Sequence, residues 1–298
     1  MIILMRIIKN FGFYLKYFVK RLITKAIHIF RIFTAPIRTQ PDFIIIGACK
    51  AGTTSLYKYL TKHPSIFPAF DKEPQFFDNN YKKGKLWYKS FFPSIILKYF
   101  INKFTSRSFI TGEASPYYIL YPHAPKRIVS MLPHIKIIAL LRNPVNRSFS
   151  HYHHAVKVGV EWLTFDEAIK KEDIRIKGEF EKICKDEQYM SHKFPAYAYL
   201  NRSLYLDQIT NWLRYLPKKQ ILIIKSEDLF NFPQKIVNQI FKFLNLPKWE
   251  MIEFKQYHSE TRDQKMNTDT RKLLVDYFKP YNQQLYEYLG RDFNWEKE

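Results

Sequence analysis

Residues 43–60, FIIIGACKAGTTSLYKYL, contain the feature that most limits how this chain can fold. A short apolar run enters a loop bounded by Gly47 and Gly52, and the loop opens into a helical pattern. A strand, a glycine loop and a helix in this order let backbone N–H groups and the helix dipole converge on a phosphate. The sequence therefore predicts a phosphate-binding loop in which the N–H groups of residues 48–54 face the anion.

The lysine of this loop is displaced from its place in triphosphate-binding loops. Those loops read G-x-x-x-x-G-K-[ST], with lysine directly after the second glycine. Here Thr53 and Thr54 follow Gly52, and Lys50 lies inside the loop. Arg142 directly follows the predicted strand 135–141. A triphosphate site would have an acidic residue that holds the metal ion at this place. These features indicate an anion with two separated phosphate groups and no metal.

Apolar runs and helical patterns alternate along the rest of the chain. The runs that fit buried strands are 43–46, 109–111, 135–141 and 221–224. The helical patterns are 53–62, 123–132, 144–157, 204–216 and 234–244. Alternation of this kind predicts an α/β fold with a P-loop-like parallel sheet flanked by helices on both faces. The charged, irregular segment 170–193 is predicted to be an exposed excursion.

The first forty residues differ from the rest in composition. No acidic residue precedes Asp42, while apolar residues recur at helical spacing and most basic residues fall on the other side of the helix. The stretch lacks the roughly 18 uninterrupted apolar residues of a membrane span. Two interpretations stay open, a basic amphipathic helix in a membrane interface through residues 1–35, or a helix packed on the protein's own body. Residues 1–40 are predicted to form this segment and its linker, and 41–298 one domain.

Charge and cysteine content narrow the choice of partners. The net charge of +21 suits polyanions, but the excess is interpreted as spread along the chain, so nucleic acid is not predicted as a partner. Cys49 and Cys184 are predicted to be free thiols, which favours a reducing, cytoplasmic location, with peripheral membrane contact as an addition and a lumenal location less favoured. His151, His153 and His154 lack acidic or cysteine partners nearby, so no metal site is expected.

Several stretches between residues 42 and 296 occur in the order seen in one enzyme family. They are IIIGACKAGTTSLYKYLTKHP, KEPQFFD, KGKLWYKSFFP, GEASPYY, APKRIVSMLPHIKIIALLRNPVNRSFSHYHH, WLRYLPKKQILIIKSEDL and PYNQQLYEYLGRDFNW. The chain resembles sulfotransferases that use 3′-phosphoadenosine 5′-phosphosulfate (PAPS), and it is most similar to the glycan-directed heparan sulfate N- and 3-O-sulfotransferase domains. The resemblance implies sulfuryl transfer from PAPS to a hydroxyl or amine, preferably of a carbohydrate, with 3′-phosphoadenosine 5′-phosphate (PAP) as product.

The resemblance also implies roles for individual residues. Glu73 matches the general base toward the acceptor, and Arg142 and Ser150 match the pair that holds the 3′-phosphate. Lys50 matches the lysine that neutralises the oxygen bridging phosphate and sulfate. The loop residues that match those holding the 5′-phosphosulfate are Lys50, Ala51, Gly52, Thr53, Thr54 and Ser55. The alternative for Glu73 is a solvated carboxylate paired with Lys72, in which case His151 or His153 becomes the candidate base.

The chain departs from the family pattern at three places. Ala114 replaces a lysine in GEASPYY, and Gln75 replaces a histidine in KEPQFFD, so a heparan 3-O acceptor is not predicted. The late segment YHSETRDQKMNTDTR lacks a KGR signature, although it contains Arg262 and Lys265. Two other classes stay open from the residues themselves, a P-loop kinase or NTPase and a non-enzymatic binder of acidic glycans or membranes.

Overall fold

A five-stranded parallel sheet forms the centre of the protein in the computed structural model, which describes residues 19, 22–251, 253–255 and 265–297. The strands are β1 (Phe43–Gly47), β2 (Ile66–Pro68), β3 (Ile110–Ala114), β4 (Lys136–Leu141) and β5 (Ile221–Lys225). Their order across the sheet is β2-β3-β1-β4-β5, and every pairing is parallel. The predicted α/β fold is confirmed.

β1 lies in the middle of the sheet and is buried along its whole length. Ile44 is opposite Glu113 of β3 on one side and Ile137 of β4 on the other. Both faces of such a strand must be covered, which explains why it is a continuous apolar run without alternation. Parallel pairing brings the carboxyl ends of β1, β3 and β4 to one edge of the sheet.

Helices occupy the connections between the strands. We number them α1 (22–33), α2 (Thr53–Leu60), α3 (Gly84–Lys89), α4 (Ile95–Phe104), α5 (Ala124–Met131), α6 (Pro144–Lys157), α7 (Phe165–Lys170), α8 (Glu172–Ile176), α9 (Glu179–Lys185), α10 (Lys193–Tyr197), α11 (Tyr205–Leu213), α12 (Ser226–Asn231), α13 (Pro233–Phe243) and α14 (Thr268–Leu289). Short 3₁₀ turns lie at Ala35–Ile37, Tyr81–Lys83, Asn201–Ser203, Lys218–Gln220 and Trp295–Lys297. The five predicted helical patterns correspond to α2, α5, α6, α11 and α13.

The start of α6 follows from its local sequence. The Asn143 side chain accepts hydrogen bonds from the backbone N–H groups of Val145 and Asn146, and Pro144 occupies the first turn. An Asn cap followed by proline is a strong start signal, because proline has no N–H to leave unsatisfied. The helix therefore begins directly after the end of β4, which sets the position of Ser150 two turns further on.

Segment 170–193 is exposed over most of its residues, as predicted. It is not an irregular excursion, however, because it folds as α8, α9 and the start of α10 and buries Ile176 and Ile183 in the main core. The charge of the segment does not mean that all of it is exposed, because the Glu172 and Glu179 side chains are buried. Glu172 accepts hydrogen bonds from the backbone N–H groups of Leu200 and Asn201, at 2.7 and 2.8 Å. These hydrogen bonds compensate the carboxylate for its lost contact with water, so a charged segment can still pack against the protein.

Several elements have no counterpart among the predictions, and they are β2 and the helices α3, α4, α7, α8, α9, α10, α12 and α14. β2 is only three residues long and contains a proline, so it shows no alternation. α14 spans 22 residues but has Pro280 inside it, which conceals the helical pattern in the sequence. Of the predicted N-terminal helix, residues 1–18, 20 and 21 lie outside the described residues. No helix within the described ranges is both long and apolar enough to cross a membrane.

A fully buried carboxyl group lies at the end of β3. Glu113 accepts hydrogen bonds from the Tyr88 hydroxyl at 3.0 Å and from the Ser115 hydroxyl at 2.7 Å. Burial raises the pKa of Glu113 to about 8, and the hydrogen bonds from Ser115 and Tyr88 offset only part of this shift. The folded chain therefore holds a proton there at neutral pH, where the unfolded chain has lost it.

We expect Glu113→Gln to flatten the dependence of stability on pH. Because the folded-state pKa lies above the unfolded value of 4.5, this group makes the free energy of unfolding fall as pH rises from 4.5 to about 8. One proton corresponds to a slope of up to about 1.4 kcal/mol per pH unit. Urea unfolding at about pH 5.5 and pH 8 measures the slope for both proteins.

Glu167→Gln is the matched control. The hydrogen bonds from the hydroxyl and backbone N–H of Thr164 lower the pKa of Glu167, so its contribution changes only at acid pH. This control should keep the slope of the wild-type protein. A Glu113→Gln variant that also kept the wild-type slope would show that Glu113 is ionised in the folded state.

Candidate active site

A cavity of about 1090 Å³ lies at the carboxyl ends of the strands. It brings together seven of the predicted site residues, which are Lys50, Gly52, Thr53, Thr54, Glu73, Arg142 and Ser150. Ala51 and Ser55 are fully buried and lie behind the wall of the cavity. The two regions proposed to bind phosphate and the proposed base therefore line one cavity. The Ala51 and Ser55 side chains do not line it.

The loop after β1 has an unusual backbone. Lys50 has φ 70° and Gly52 has φ 93°, so two residues in the loop occupy the left-handed region. The N–H of Ala48 donates to Leu140 O at 2.7 Å, and that of Ala51 donates to Ala48 O at 3.1 Å. The prediction that all N–H groups of residues 48–54 face the anion is therefore wrong for these two, because they hold the loop in shape.

The amino end of α2 is suited to an anion. Gly52 occupies the N-cap position, and within the described part of the chain no side chain caps this helix. The N–H groups of the first turn, which includes Thr53 and Thr54, thus keep the positive end of the helix dipole directed at the cavity. The Thr54 hydroxyl adds a further polar group and accepts a hydrogen bond from Lys72 Nζ at 3.0 Å.

α12 packs directly on the loop. The Ser226 hydroxyl donates to Ala51 O at 2.6 Å. A Cβ atom added to Gly52 would lie 2.6 Å from the Phe230 ring, closer than real Cβ atoms approach carbon. Glycine is therefore required at position 52 for two reasons, its left-handed conformation and the close approach of Phe230.

Arg142 joins the end of β4 to the loop. Its Nη1 donates to Lys50 O at 2.8 Å, and its own carbonyl accepts from the Tyr205 hydroxyl at 2.8 Å. Burial lowers the pKa of Arg142, and the nearby Glu227 carboxylate opposes that shift. Ser150 is buried on the inner side of α6 and lines the same cavity. A cation and a hydroxyl thus lie on the side of the cavity formed by β4 and α6.

Glu73 lies on the loop after β2 and is one-third exposed, with its carboxylate 3.4 Å from Lys72 Nζ. The ion pair with Lys72, which is the alternative interpretation of Glu73, is present, and Glu73 also lines the cavity. Lys72 therefore contacts both the proposed base and Thr54 of the loop after β1. The sequence analysis missed this bridging position, since only the adjacency of Lys72 and Glu73 is visible in the sequence.

The segment that carries Glu73 is fixed to the end of β3. The N–H of Ala114 donates to Lys72 O at 2.8 Å. The N–H of Gln75 donates to the Ser115 hydroxyl at 3.2 Å, and that hydroxyl donates in turn to the buried Glu113. These contacts hold the backbone on both sides of Glu73, so its position depends on the core of the sheet.

Other titratable side chains line the cavity and were not predicted as primary site residues. Asp78 is buried, its Oδ2 has no hydrogen-bond partner among the described residues, and burial raises its pKa to about 6. His151 is buried with Nε2 3.0 Å from Pro195 O, and burial holds its pKa well below the ordinary value. His154 also lines the cavity.

His153 faces away from this cavity. The centres of the His153 and Phe149 rings lie 4.3 Å apart. His153 lines a separate cavity of about 430 Å³ together with Lys265. The prediction of His153 as an alternative base is therefore wrong, whereas His151 is still a candidate. Arg262 lies outside the described residues. Within the described ranges, no group of three or more His, Cys, Asp and Glu side chains is placed to hold a metal ion.

Comparison with known proteins identifies a family. A family model described as "Sulfotransferase domain" matches residues 40–284. The "Membrane-associated sulfotransferase kil1" of Dictyostelium discoideum is 28% identical over 323 residues, covering 86% of this chain and 66% of that protein. The "Heparan sulfate glucosamine 3-O-sulfotransferase 3B1" of Mus musculus is 27% identical over 281 residues, covering 86% and 65%. The chain thus spans slightly less than two thirds of the length of these relatives.

A solved structure supports the same assignment. The crystal structure of a sulfotransferase from Alicyclobacillus acidocaldarius is 26% identical and has a TM-score of 0.64. The match covers 87% of this chain and 100% of that chain. The similarity therefore supports the α/β fold of the chain as that of a sulfotransferase.

We expect Gly52→Ala to destabilise the protein more than Gly178→Ala. Both glycines are N-cap residues in the left-handed region, with φ 93° and 72°, but an added Cβ meets Phe230 at position 52 and open space at position 178. The steric contact should lower the free energy of unfolding by about 1–3 kcal/mol beyond the backbone strain that the two variants share. Chemical denaturation of both variants measures the difference, and the double variant Gly52→Ala/Phe230→Leu should recover part of it. Equal losses in the two single variants would contradict the contact with Phe230.

Proposed function

The chain belongs to the sulfotransferase domain family, and from this premise we propose that it transfers a sulfuryl group from PAPS to a hydroxyl or amine of an acceptor, preferably a carbohydrate. One observation carries the proposal. The loop after β1, the Arg142 and Ser150 pair, and Glu73 line a single cavity, although they come from three distant parts of the sequence. Two anion-binding regions and a base around one space suit a donor with two phosphate groups and an acceptor that loses a proton.

The residues present fit the charge of PAPS. Lys50, the first turn of α2 and the Thr54 hydroxyl would hold the 5′-phosphosulfate, because all are positive or hydrogen-bond donors. Arg142 and Ser150 would hold the 3′-phosphate on the other side of the cavity. When bound, PAPS supplies the sulfuryl group and the leaving phosphate. The four basic side chains in the wall, Lys50, Lys72, Arg142 and Arg202, supply positive charge that a metal ion would otherwise provide.

Two side chains would act on the reacting groups. Glu73 would accept the proton of the acceptor hydroxyl or amine, which requires hydrogen-bond contact between the carboxylate and that group. Lys50 would neutralise the negative charge that develops on the leaving oxygen, and fixed charge of this kind lowers the barrier of a group transfer. Lys72 would orient Glu73, since its Nζ lies between Thr54 and the Glu73 carboxylate.

The name of one relative supports a carbohydrate acceptor. The mouse relative is named for a heparan sulfate glucosamine acceptor, and the Dictyostelium relative is named membrane-associated. We infer a carbohydrate acceptor for this chain as well, and a cytoplasmic location at a membrane surface through residues 1–35. Cys49 and Cys184 are both free thiols, as predicted, which supports a reducing compartment.

We expect PAP to raise the melting temperature of the protein, and Arg142→Ala to weaken that effect. Ligand that binds only the native state stabilises it by RT ln(1 + [L]/Kd). Loss of a charge-assisted hydrogen bond should reduce PAP affinity by about 1.5–3 kcal/mol, or roughly 10- to 150-fold. Calorimetric titration with PAP gives the dissociation constants, and Arg142→Lys serves as the control that keeps the charge without the planar fork.

The competing enzyme class gives a different result in the same assay. A P-loop kinase or NTPase would be stabilised by ATP with Mg²⁺ and not by PAP. Stabilisation by ATP with Mg²⁺ alone would therefore overturn the proposed function. Unchanged PAP affinity in Arg142→Ala would instead show that the 3′-phosphate lies elsewhere in the cavity.

We expect Glu73→Gln to lower kcat by roughly 10²- to 10⁴-fold with little change in PAP affinity. The amide keeps the size of the side chain but cannot take a proton. Lys50→Ala should lower kcat and also weaken PAP binding, because the lysine would contact the donor before and during transfer. PAPS-dependent sulfation of glycans, tyrosine peptides and small alcohols, detected by mass, identifies the acceptor for the kcat measurement. Near-normal turnover of Glu73→Gln would show that Glu73 is not the base, and His151 would then be the candidate.

A further inference from the structure

Helix α1 is attached to the protein by its polar side. His28 Nε2 lies 3.0 Å from the Ser90 hydroxyl, and Arg31 donates to Ser90 O at 2.7 Å and to Phe92 O at 2.8 Å. The His28 ring also packs against Phe91, with ring centroids 4.8 Å apart. His28 and Arg31 are one turn apart, so they define the side of α1 that faces the protein.

The apolar side of α1 points away from the protein. At about 3.6 residues per turn, Leu22, Phe30 and Phe33 lie on the side opposite His28 and Arg31. Their exposed fractions are 50%, 64% and 80%. An amphipathic helix packed on its own domain would bury this side, so α1 has the reverse of the usual orientation.

Helix α4 has the same reversed orientation. Its inner side is polar, because Lys98 pairs with Asp42 at 3.5 Å and Asn102 Oδ1 accepts from the N–H of Phe109 at 2.9 Å. All ten residues of α4 are exposed or half-buried. The side opposite Lys98 and Asn102 is apolar, and its members Ile96, Phe100 and Phe104 are 54%, 52% and 67% exposed.

The two helices meet at the turn between α3 and α4. Arg31 of α1 donates to two carbonyl groups of this turn, and Arg38, just after α1, donates to Phe92 O at 3.0 Å. Arg38 also forms a backbone bridge with Ser94, the N-cap of α4. We call the outward apolar sides of α1 and α4 the α1–α4 surface.

The described segments that carry this surface are strongly basic. Residues 22–41 contain three Lys and Arg, residues 79–112 contain seven, and neither segment contains Asp or Glu. Together these two segments carry +10 of the net charge of +21. The interpretation that the excess charge is spread along the chain is therefore wrong, since nearly half of it lies in two segments that the structure joins.

We propose that the α1–α4 surface binds the interface of an anionic lipid bilayer. Large exposed apolar side chains flanked by Lys and Arg fit the boundary between acyl chains and negative headgroups. A second copy of the chain fits less well, because a twofold interface would place the surface against itself and bring two segments of +10 together. Nucleic acid would leave the apolar side chains exposed to water.

The α4 part of the surface lies at the end of the sheet opposite the candidate active site, while the inner side of α1 contacts the segment that leads to Glu73. α4 is attached at the amino ends of β1 and β3 through Asp42 and Phe109, whereas the cavity lies at the carboxyl ends. The Arg31 guanidinium of α1 lies 4.9 Å from the centre of the Phe70 ring, and Phe70 begins the segment that leads to Glu73. The proposal does not depend on the sulfuryl-transfer reaction.

The test uses the full chain and lipid vesicles. We expect it to co-sediment with phosphatidylcholine vesicles that contain about 30 mol% phosphatidylserine at least about tenfold better than with pure phosphatidylcholine, and less well at high salt. Phe100→Ser/Phe104→Ser should weaken binding at least about fivefold, since two large apolar contacts are lost. These residues are exposed, so circular dichroism should show an unchanged fold.

Trp162→Ser/Ile174→Ser is the matched control, because these residues are 78% and 80% exposed but lie outside the α1–α4 surface. It should bind vesicles like the wild-type protein. Hydrogen exchange on vesicles should slow in residues 22–33 and 95–104. Equal binding by the α4 variant and the wild type would overturn the proposal. So would a dimer in solution that the α4 variant converts to monomers, or tighter binding to RNA than to the anionic vesicles.

Discussion

The hydrogen bond from Arg142 Nη1 to the Lys50 carbonyl is the contact on which the arrangement of the site depends. It joins the loop after β1 to the end of β4, and these two strands are neighbours at the centre of the sheet. Because Lys50 has a positive φ, which is costly for a residue with a side chain, the loop keeps its shape through contacts from outside. Ser226 adds a second contact at the Ala51 carbonyl. The wall of the cavity that we propose binds the anion is thus formed by the segments that follow β1, β4 and β5.

Much of the fold was predictable from the sequence, and seven of the predicted site residues do line one cavity, for identifiable reasons. A strand buried on both faces is a continuous apolar run, so β1, β4 and β5 are visible in the sequence. The loop after β1 and the Arg142 and Ser150 pair lie in motifs with fixed spacing. Lys72 and Asp78 were not identified as cavity residues, because their positions come from contact with distant segments and from burial. The helices of segment 170–193 were missed for the same reason, since the sequence does not show that the Glu172 carboxylate turns inward to backbone N–H groups.

Charge is a second property that the linear sequence conceals. Lys and Arg occur along the whole chain, which favours the interpretation of an evenly spread excess. The contacts of Arg31 and Arg38 with the turn before α4 bring two segments without acidic residues, 22–41 and 79–112, side by side. The same contacts use the polar side chains of α1, so its apolar side is left outward. An amphipathic pattern predicts that a helix has two sides, but it does not predict which side faces the protein.

The contact between Ser226 and Ala51 also has a consequence for the order in which the protein is made. The two residues are 175 apart in sequence, and Asn143, which caps α6, donates to Trp295 O across 152 residues. At a synthesis rate of roughly 5–20 residues per second, the ribosome adds Ser226 about 9–35 s after Ala51. During this interval the glycine loop is without the serine that holds it. The wall of the cavity that we propose binds the donor is therefore completed late in translation, although its most recognisable motif is among the first parts of the domain to be synthesised.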